Sequence, residues 1–322
     1  MAGAEQLDTL FDTRRPVPDG GYRWWYLDAL SDDGSRGITV IVFIGSVFSP
    51  YYAWRLARGP VAALDHCAVN VALYQPGMNR WTMTERSASA VRAAPDRLAI
   101  GPSTMQWTRD ASGKGVLTLE IDEVCAPVPR RVRGRIRVTA DTVHTREYSL
   151  DVAGRHHWRP IAPQARVDVE LDAPQLSWHG AGYLDSNRGD EPITEAFRHW
   201  HWSRCRLADG RAAIVYDIER REGGRLKLGL DFDAGRAPRD FFPPLSQPLP
   251  HGLWGVRSAI ACAEGAPQLA HRLEDGPFYL RSVVETRLLG EPVIAMHESL
   301  DLDRLCRNWV RVLLPFRMPR RG

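Results

Sequence analysis

The chain has 322 residues, of which 44% are hydrophobic and 25% charged, and it carries a net charge of +3. That is long enough for about two domains and too apolar for a disordered chain. It is also too nearly neutral to bind nucleic acid by charge alone. The basic residues are arginines apart from Lys114 and Lys227. This suits a GC-rich coding sequence as well as it suits planar contacts to phosphate or carboxylate.

In chain order, Met1 to Phe11 has no basic stretch followed by an apolar run, so it does not read as a signal peptide. No stretch approaches the ~20 apolar residues of a spanning helix. A cytoplasmic protein is expected, with membrane contact at most peripheral. Ile38 to Ile44 is a continuous β-branched run, as expected of a strand buried on both faces. Val116 to Asp122 alternates, with Leu117, Leu119 and Ile121 against Thr118, Glu120 and Asp122. Arg131, Arg133, Arg135 and Arg137 share a face backed by Val132, Ile136 and Val138, a pattern typical of a solvated strand. Val167, Val169 and Leu171 alternate again, as do Leu226, Leu228, Leu230 and Phe232. Further strands are expected near 68–75, 96–109, 212–220, 253–261, 278–288 and 293–300. The Pro-rich segment 233–252 reads as a long loop.

Leu302, Leu305, Cys306, Trp309, Val310 and Leu313 fall at helical spacing. Asp301 or Asp303 is placed to cap this helix and Pro315 to end it. Its stripe suits packing on a core. With Arg304, Arg307 and Arg311 it also suits an anionic membrane surface.

Many short strands separated by turns, without βαβ alternation or a phosphate loop, predict an all-β chain of antiparallel sheets closing into barrels or sandwiches, plus a short C-terminal helix. Cys67, Cys125, Cys205, Cys262 and Cys306 are odd in number and scattered. Neither a zinc site nor a disulfide framework is indicated, and free thiols are expected.

Two segments carry candidate chemistry. In Gly154-Arg-His-His-Trp-Arg-Pro, His156 and Trp158 lie two apart. In Trp178-His-Gly-Ala-Gly-Tyr-Leu-Asp-Ser-Asn-Arg-Gly189, so do Tyr183 and Asp185. On extended backbone each pair shares a face. His199 and His201 share one face of the next segment, and Trp200 and Trp202 the other. Without a telling third ligand, no metal is expected there. Each residue also has a plainer reading: Asp185 in a turn, His156 in a loop, Trp158 and Tyr183 in a core.

The stretch Gly154 to Ile218, with Gly21-Tyr-Arg-Trp-Trp-Tyr-Leu-Asp28 and Ser46 to Tyr52, resembles the carotenoid 1,2-hydratases (hydroxyneurosporene synthases) of photosynthetic bacteria. The resemblance implies two lipocalin-like β-barrel domains, divided here as 1–190 and 191–322. It also implies no metal or organic cofactor, and hydration of the terminal double bond of an acyclic carotenoid such as neurosporene or lycopene. By the same resemblance His156, Trp158, Tyr183 and Asp185 match the functional His-x-Trp and Tyr-x-Asp positions, with Asp185 the acid. Trp178, Trp200, Trp202 and Tyr216 are the candidate substrate-binding rings.

The chemistry fits those residue types. Hydrating a trisubstituted alkene starts with protonation at carbon, and a carboxylic acid among aromatic rings stays protonated more readily. Indole and phenol faces stabilise the resulting tertiary cation. His156 is then expected to hold the attacking water and relay its proton. Two other readings stay open: a lipocalin-like carrier of carotenoid or other lipid, and a cofactor-free polyene cyclase or pericyclase.

Overall fold

The computed structural model describes residues 11–77 and 79–321. The N-terminal segment read above for a signal peptide therefore lies, up to residue 10, outside the described residues. The chain forms two compact units. The first holds the described residues up to Ser149, then Ala153–Pro192, and takes back the chain from Val312 onward. The second holds Leu150–Val152 and Ile193–Arg311.

The first unit is an antiparallel, curled sheet. Its strands are β1 (Tyr22–Ser31), β2 (Gly37–Ile44), β3 (Cys67–Tyr74), β4 (Arg80–Arg86), β5 (Val91–Ala94), β6 (Arg97–Ile100), β7 (Ser103–Arg109), β8 (Gly115–Val124), β9 (Arg131–Ala140), β10 (Tyr148–Ser149), β11 (His156–Ala173) and β12 (Gln175–Gly189). The order runs β4-β3-β2-β1-β12-β11-β9-β8-β7-β6-β5, with β10 on β11. Alternation sets its faces. Trp25, Leu27, Val40, Val42, Val69, Val71, Val167 and Leu184 enter one hydrophobic core, and each such side chain contributes about 1.5–3 kcal/mol by leaving water. The residues between them on β1 and β12 point the other way, yet they are buried as well. The central strands are thus covered on both faces, as Ile38–Ile44 predicts for β2.

The arginine ladder of β9 is a solvated face. Arg131 pairs with Asp122 at 2.6 Å and Arg135 with Glu120 at 2.6 Å. Between β2 and β3, Ser49 caps a short helix, α1 (Pro50–Leu56), accepting from the Tyr51 and Tyr52 amides. Tyr52 then donates to the Gly21 carbonyl at 2.7 Å, just before β1.

The second unit has a seven-stranded antiparallel sheet. It comprises β13 (Phe197–Arg206), β14 (Ala212–Arg220), β15 (Arg225–Phe232), β16 (Arg239–Phe241), then, after a separate pair β17 (Ser246–Leu249) and β18 (Ser258–Ala261), β19 (Gln268–Asp275), β20 (Tyr279–Leu288) and β21 (Glu291–Asp301). Segment 233–252, expected to be loop, therefore contributes β16 and β17. Both are short edge strands, where Pro248 costs little because an edge need not donate on its open side.

The expected C-terminal helix is divided. Asp301 does cap its start, accepting from the Arg304 amide, but Leu302–Leu305 and Asn308–Leu313 are separate helices. Leu302, Leu305 and Val310 are buried, while Trp309 and Leu313 are exposed. Residues 312–321, which the division at 190 and 191 leaves with the second unit, return to the first. There Arg320–Arg321 pairs in parallel with β4, and the Arg320 guanidinium meets the buried Glu85 carboxylate, which also bonds His66 at 2.8 Å.

Candidate active site

Three of the four expected catalytic side chains meet at one oxygen. Trp158 donates from Nε1 to Asp185 Oδ2 at 2.8 Å, and Tyr183 donates from its hydroxyl to the same oxygen at 2.6 Å. The indole N–H also lies 3.2 Å from the Tyr183 oxygen. Trp158 and Tyr183 are fully buried and Asp185 is 3% exposed. The run Asp-Ser-Asn-Arg-Gly, whose composition suits a turn, is strand throughout, paired with β1 on one side and β11 on the other.

Register explains the convergence. Asp185 stands opposite Tyr26 on β1 and Pro160 on β11, while Trp158 stands opposite Asn187. The β11–β12 ladder shifts register at Pro160–Ala162 and again at Ala162–Ala165. Pro160 and Pro163 cannot donate to a ladder, and such bulges re-aim neighbouring side chains. Tyr148 on β10 faces Trp158, with ring centres 5.4 Å apart.

Two neutral donors on Oδ2 have a chemical consequence. They occupy the lone pairs of that oxygen, so a proton on this acid resides on Oδ1. The result is a carboxyl with one oxygen anchored by two donors.

His156 is placed elsewhere. It stands opposite Gly189, four residues along β12 from Asp185, or about 13 Å at ~3.3 Å per residue. Its Nδ1 shares a hydrogen bond with the Tyr22 hydroxyl at 2.8 Å, and its Nε2 lies 3.3 Å from Glu191, which pairs with Arg155. Tyr22 in turn stacks on Trp24 at 4.8 Å. A side chain at Gly189 would put its Cβ 2.4 Å from the Tyr22 ring and 2.7 Å from His156 Nδ1. Glycine is what lets that pair cross the strand.

The expected substrate-binding rings divide. Trp178 lies an odd number of positions from Tyr183, so it points into the hydrophobic core on the opposite face. Trp200, Trp202 and Tyr216 form their own cluster in the second unit: Trp202 is opposite Tyr216, and the Trp200 and Tyr216 rings are 5.3 Å apart. His199 pairs with Glu219 and Asp301, and His201 with Ser299. No cluster of metal-ligating residues is present among the described residues.

Sequence reasoning missed the partners on β1. Tyr26-Leu-Asp28 repeats the tripeptide Tyr183-Leu-Asp185. The strands are antiparallel, so Tyr26 faces Asp185 and Asp28 faces Tyr183. Tyr26 donates to Asp28 Oδ2 at 2.9 Å, and the two tyrosine rings meet edge to face at 6.0 Å. The repeated tripeptide was the available signal.

Fold and site together define a lipocalin-like β protein with a buried carboxyl–phenol–indole centre on the sheet face opposite its core. The chain belongs to the carotenoid hydratase CrtC family, which it matches over residues 40–322. It is 51% identical over 314 residues to the acyclic carotenoid 1,2-hydratase of Thiocapsa roseopersicina, covering 97% of this chain and 76% of that protein. With the enzyme of the same name from Rubrivivax gelatinosus it shares 47% over 313 residues, 96% of this chain and 75% of the other. Among solved structures, an AttH protein of Nitrosomonas europaea superposes with a TM-score of 0.59 at 14% identity, covering 87% of this chain and 91% of that one. That similarity concerns the fold alone.

Proposed function

We propose that this protein hydrates the terminal C1=C2 double bond of an acyclic carotenoid, with Asp185 as the acid. The observation that carries this reading is the single anchored oxygen of Asp185, with its two donors drawn from aromatic side chains. Burial works against the ionised form of such a carboxyl. Transfer from Oδ1 to C2 leaves a tertiary cation at C1, which the π faces of Tyr183, Trp158 and Tyr26 stabilise by about 1–2 kcal/mol each. Water then adds at C1. His156 acts at a distance, holding Tyr22 and through it Trp24.

A carrier reading asks for an open barrel interior, since pockets for such ligands span ~300 Å³ or more. A carrier needs that space but not the acid, so Asp185→Asn is expected to leave ligand binding intact and to abolish product only if the protein is an enzyme. Purified protein with lycopene in detergent, without added cofactor, is expected to give 1-hydroxy product that takes its oxygen from labelled water. Well-folded protein that hydroxylates no acyclic carotenoid would overturn the assignment, and an unhydrated isomer of substrate mass would point to cyclisation.

We further propose that the substrate arrives from a membrane surface. No described helix is long and apolar enough to cross a membrane. Trp309, Val312, Leu313 and Phe316 are nevertheless exposed on one short segment, beside the exposed Arg307 and Arg317. Rings and arginines so placed suit an anionic interface. Trp309→Ser with Phe316→Ser is expected to reduce sedimentation with anionic vesicles, and unchanged sedimentation would reject this surface.

A further inference from the structure

We propose that Asp28, held by Tyr26 and next to Thr39, is the base that takes the proton from the attacking water. This rests on the hydration reading, and it gives that reaction the base that His156 is too far along the strand to be.

The arrangement has two halves. Asp185 and Asp28 are each the acceptor of a tyrosine two residues earlier on the same strand, at 2.6 Å and 2.9 Å. Asp28 is fully buried. Its own strand presents Tyr26 on this face, β12 presents Tyr183 and Asp185, and β2 presents Thr39 directly opposite Asp28. Thr39 is 1% exposed, and its hydroxyl has no hydrogen-bond partner among the described residues. A buried hydroxyl of this kind calls for a partner, and a water between it and a carboxylate is the simplest one.

The step balances without a co-reactant. The O–H bond of Asp185 breaks as the C2–H bond forms, leaving a cation at C1 and a carboxylate at Asp185. The water oxygen bonds to C1, and the proton it sheds passes to Asp28. The site resets when Asp28 releases that proton to water and Asp185 takes one up on Oδ1; the Tyr26 and Tyr183 rings, with centres 6.0 Å apart, stand between the two carboxyls. Two carboxyls of split duty, one giving a proton and one taking it, are the usual means of running acid and base chemistry in one site.

The test separates protonation from water capture. In heavy water, a cation that is formed but not captured loses hydrogen from C2 and returns as deuterated alkene. The measurements are the rate of alcohol formation and the deuterium content of recovered lycopene, for wild type, Asp28→Asn and Thr39→Val. Asp28→Asn is expected to lower alcohol formation about 10²-fold while deuterium still enters recovered substrate, so the exchange-to-alcohol ratio rises. Thr39→Val, nearly isosteric, is expected to shift the ratio in the same direction by roughly tenfold, equivalent to one lost hydrogen bond. Thr39→Val decides the matter if Asp28→Asn does not fold. An unshifted ratio, with both rates at wild-type level or both reduced in proportion, overturns the role of Asp28 while leaving hydration standing. A wild type that forms no alcohol overturns the hydration reading, and this assignment with it.

Discussion

Each unit buries a group of polar side chains, and the two groups are built on opposite plans. In the first unit the acid, phenols and indole lie on the sheet face away from the hydrophobic core. In the second, two histidines and three serines sit on the core side of the sheet and satisfy one another. Ser203 bonds His297 Nδ1 at 2.9 Å, Ser258 and Ser299 both reach His297 Nε2 at 3.1 Å, and His201 bonds Ser299 at 2.9 Å. The imidazoles stack 6.0 Å apart. A closed circuit of neutral donors and acceptors makes a stable core. In the first group the two donors converge on one oxygen of Asp185, beside π faces, which is the arrangement the proposed acid requires. Burial of polar groups alone therefore does not mark a site, and the proposed reading turns on whether the hydrogen bonds of the first group leave Asp185 a proton to give.

That contrast can be broken by substitution. Asp185→Asn keeps the shape of the first group and removes its proton, so kcat is expected to fall 10²–10⁴-fold, with the melting temperature of the second unit unchanged. A variant retaining a tenth of wild-type turnover would show that the proton comes from elsewhere.

Acid should find the second group instead. Burial holds His201 down at about 4 and His297 well below the ordinary imidazole range. The unfolded chain thus binds more protons than the folded one as pH falls from 6.5 toward 4. Stability is fully present above 6.5 and is lost on acidification, by about 3 kcal/mol from His201 alone at ~1.36 kcal/mol per unit. His199, raised by Asp301, returns part of this. Urea melts of the second unit at pH 7 and pH 4.5 check the sign, and equal midpoints would refute it.

The smallest effect sharpens the first group. Trp158→Phe keeps a ring but removes one donor from Oδ2, for an expected loss of roughly tenfold in kcat, or about 1.4 kcal/mol. Trp178→Phe, on the other face, is expected to leave kcat within about twofold, and a large drop there would mean that the substrate reaches the core side.

Much of this was legible in the sequence, for reasons that particular residues show. Alternation disclosed β8 and β9 because one face of each meets water, and the continuous run disclosed β2 because neither face does. Spacing of two put Tyr183 with Asp185 and His156 with Trp158. The same parity rule assigns Trp178 to the other face, five positions before Tyr183. Register was not legible. It takes the β11–β12 pairing to show that His156 stands level with Gly189, and the β1–β12 pairing to show that two Tyr-Leu-Asp units face each other crosswise. The division of the C-terminal helix was not legible, because the apolar stripe keeps helical spacing across the break between Leu305 and Asn308.

The return of residues 312–321 to β4 has a consequence for how the protein is made. A ribosome delivers the strands of the first unit early, but Glu85 and His66 must wait for Arg320, and the whole second unit is synthesised in between. Until Arg320 emerges, a nascent chain carries a buried carboxylate short of its guanidinium and a β4 edge open to other strands. The second unit is in effect an insertion within the first. The centre of Trp158, Tyr183 and Asp185 therefore sits in the part of the chain whose folding begins first and is completed last.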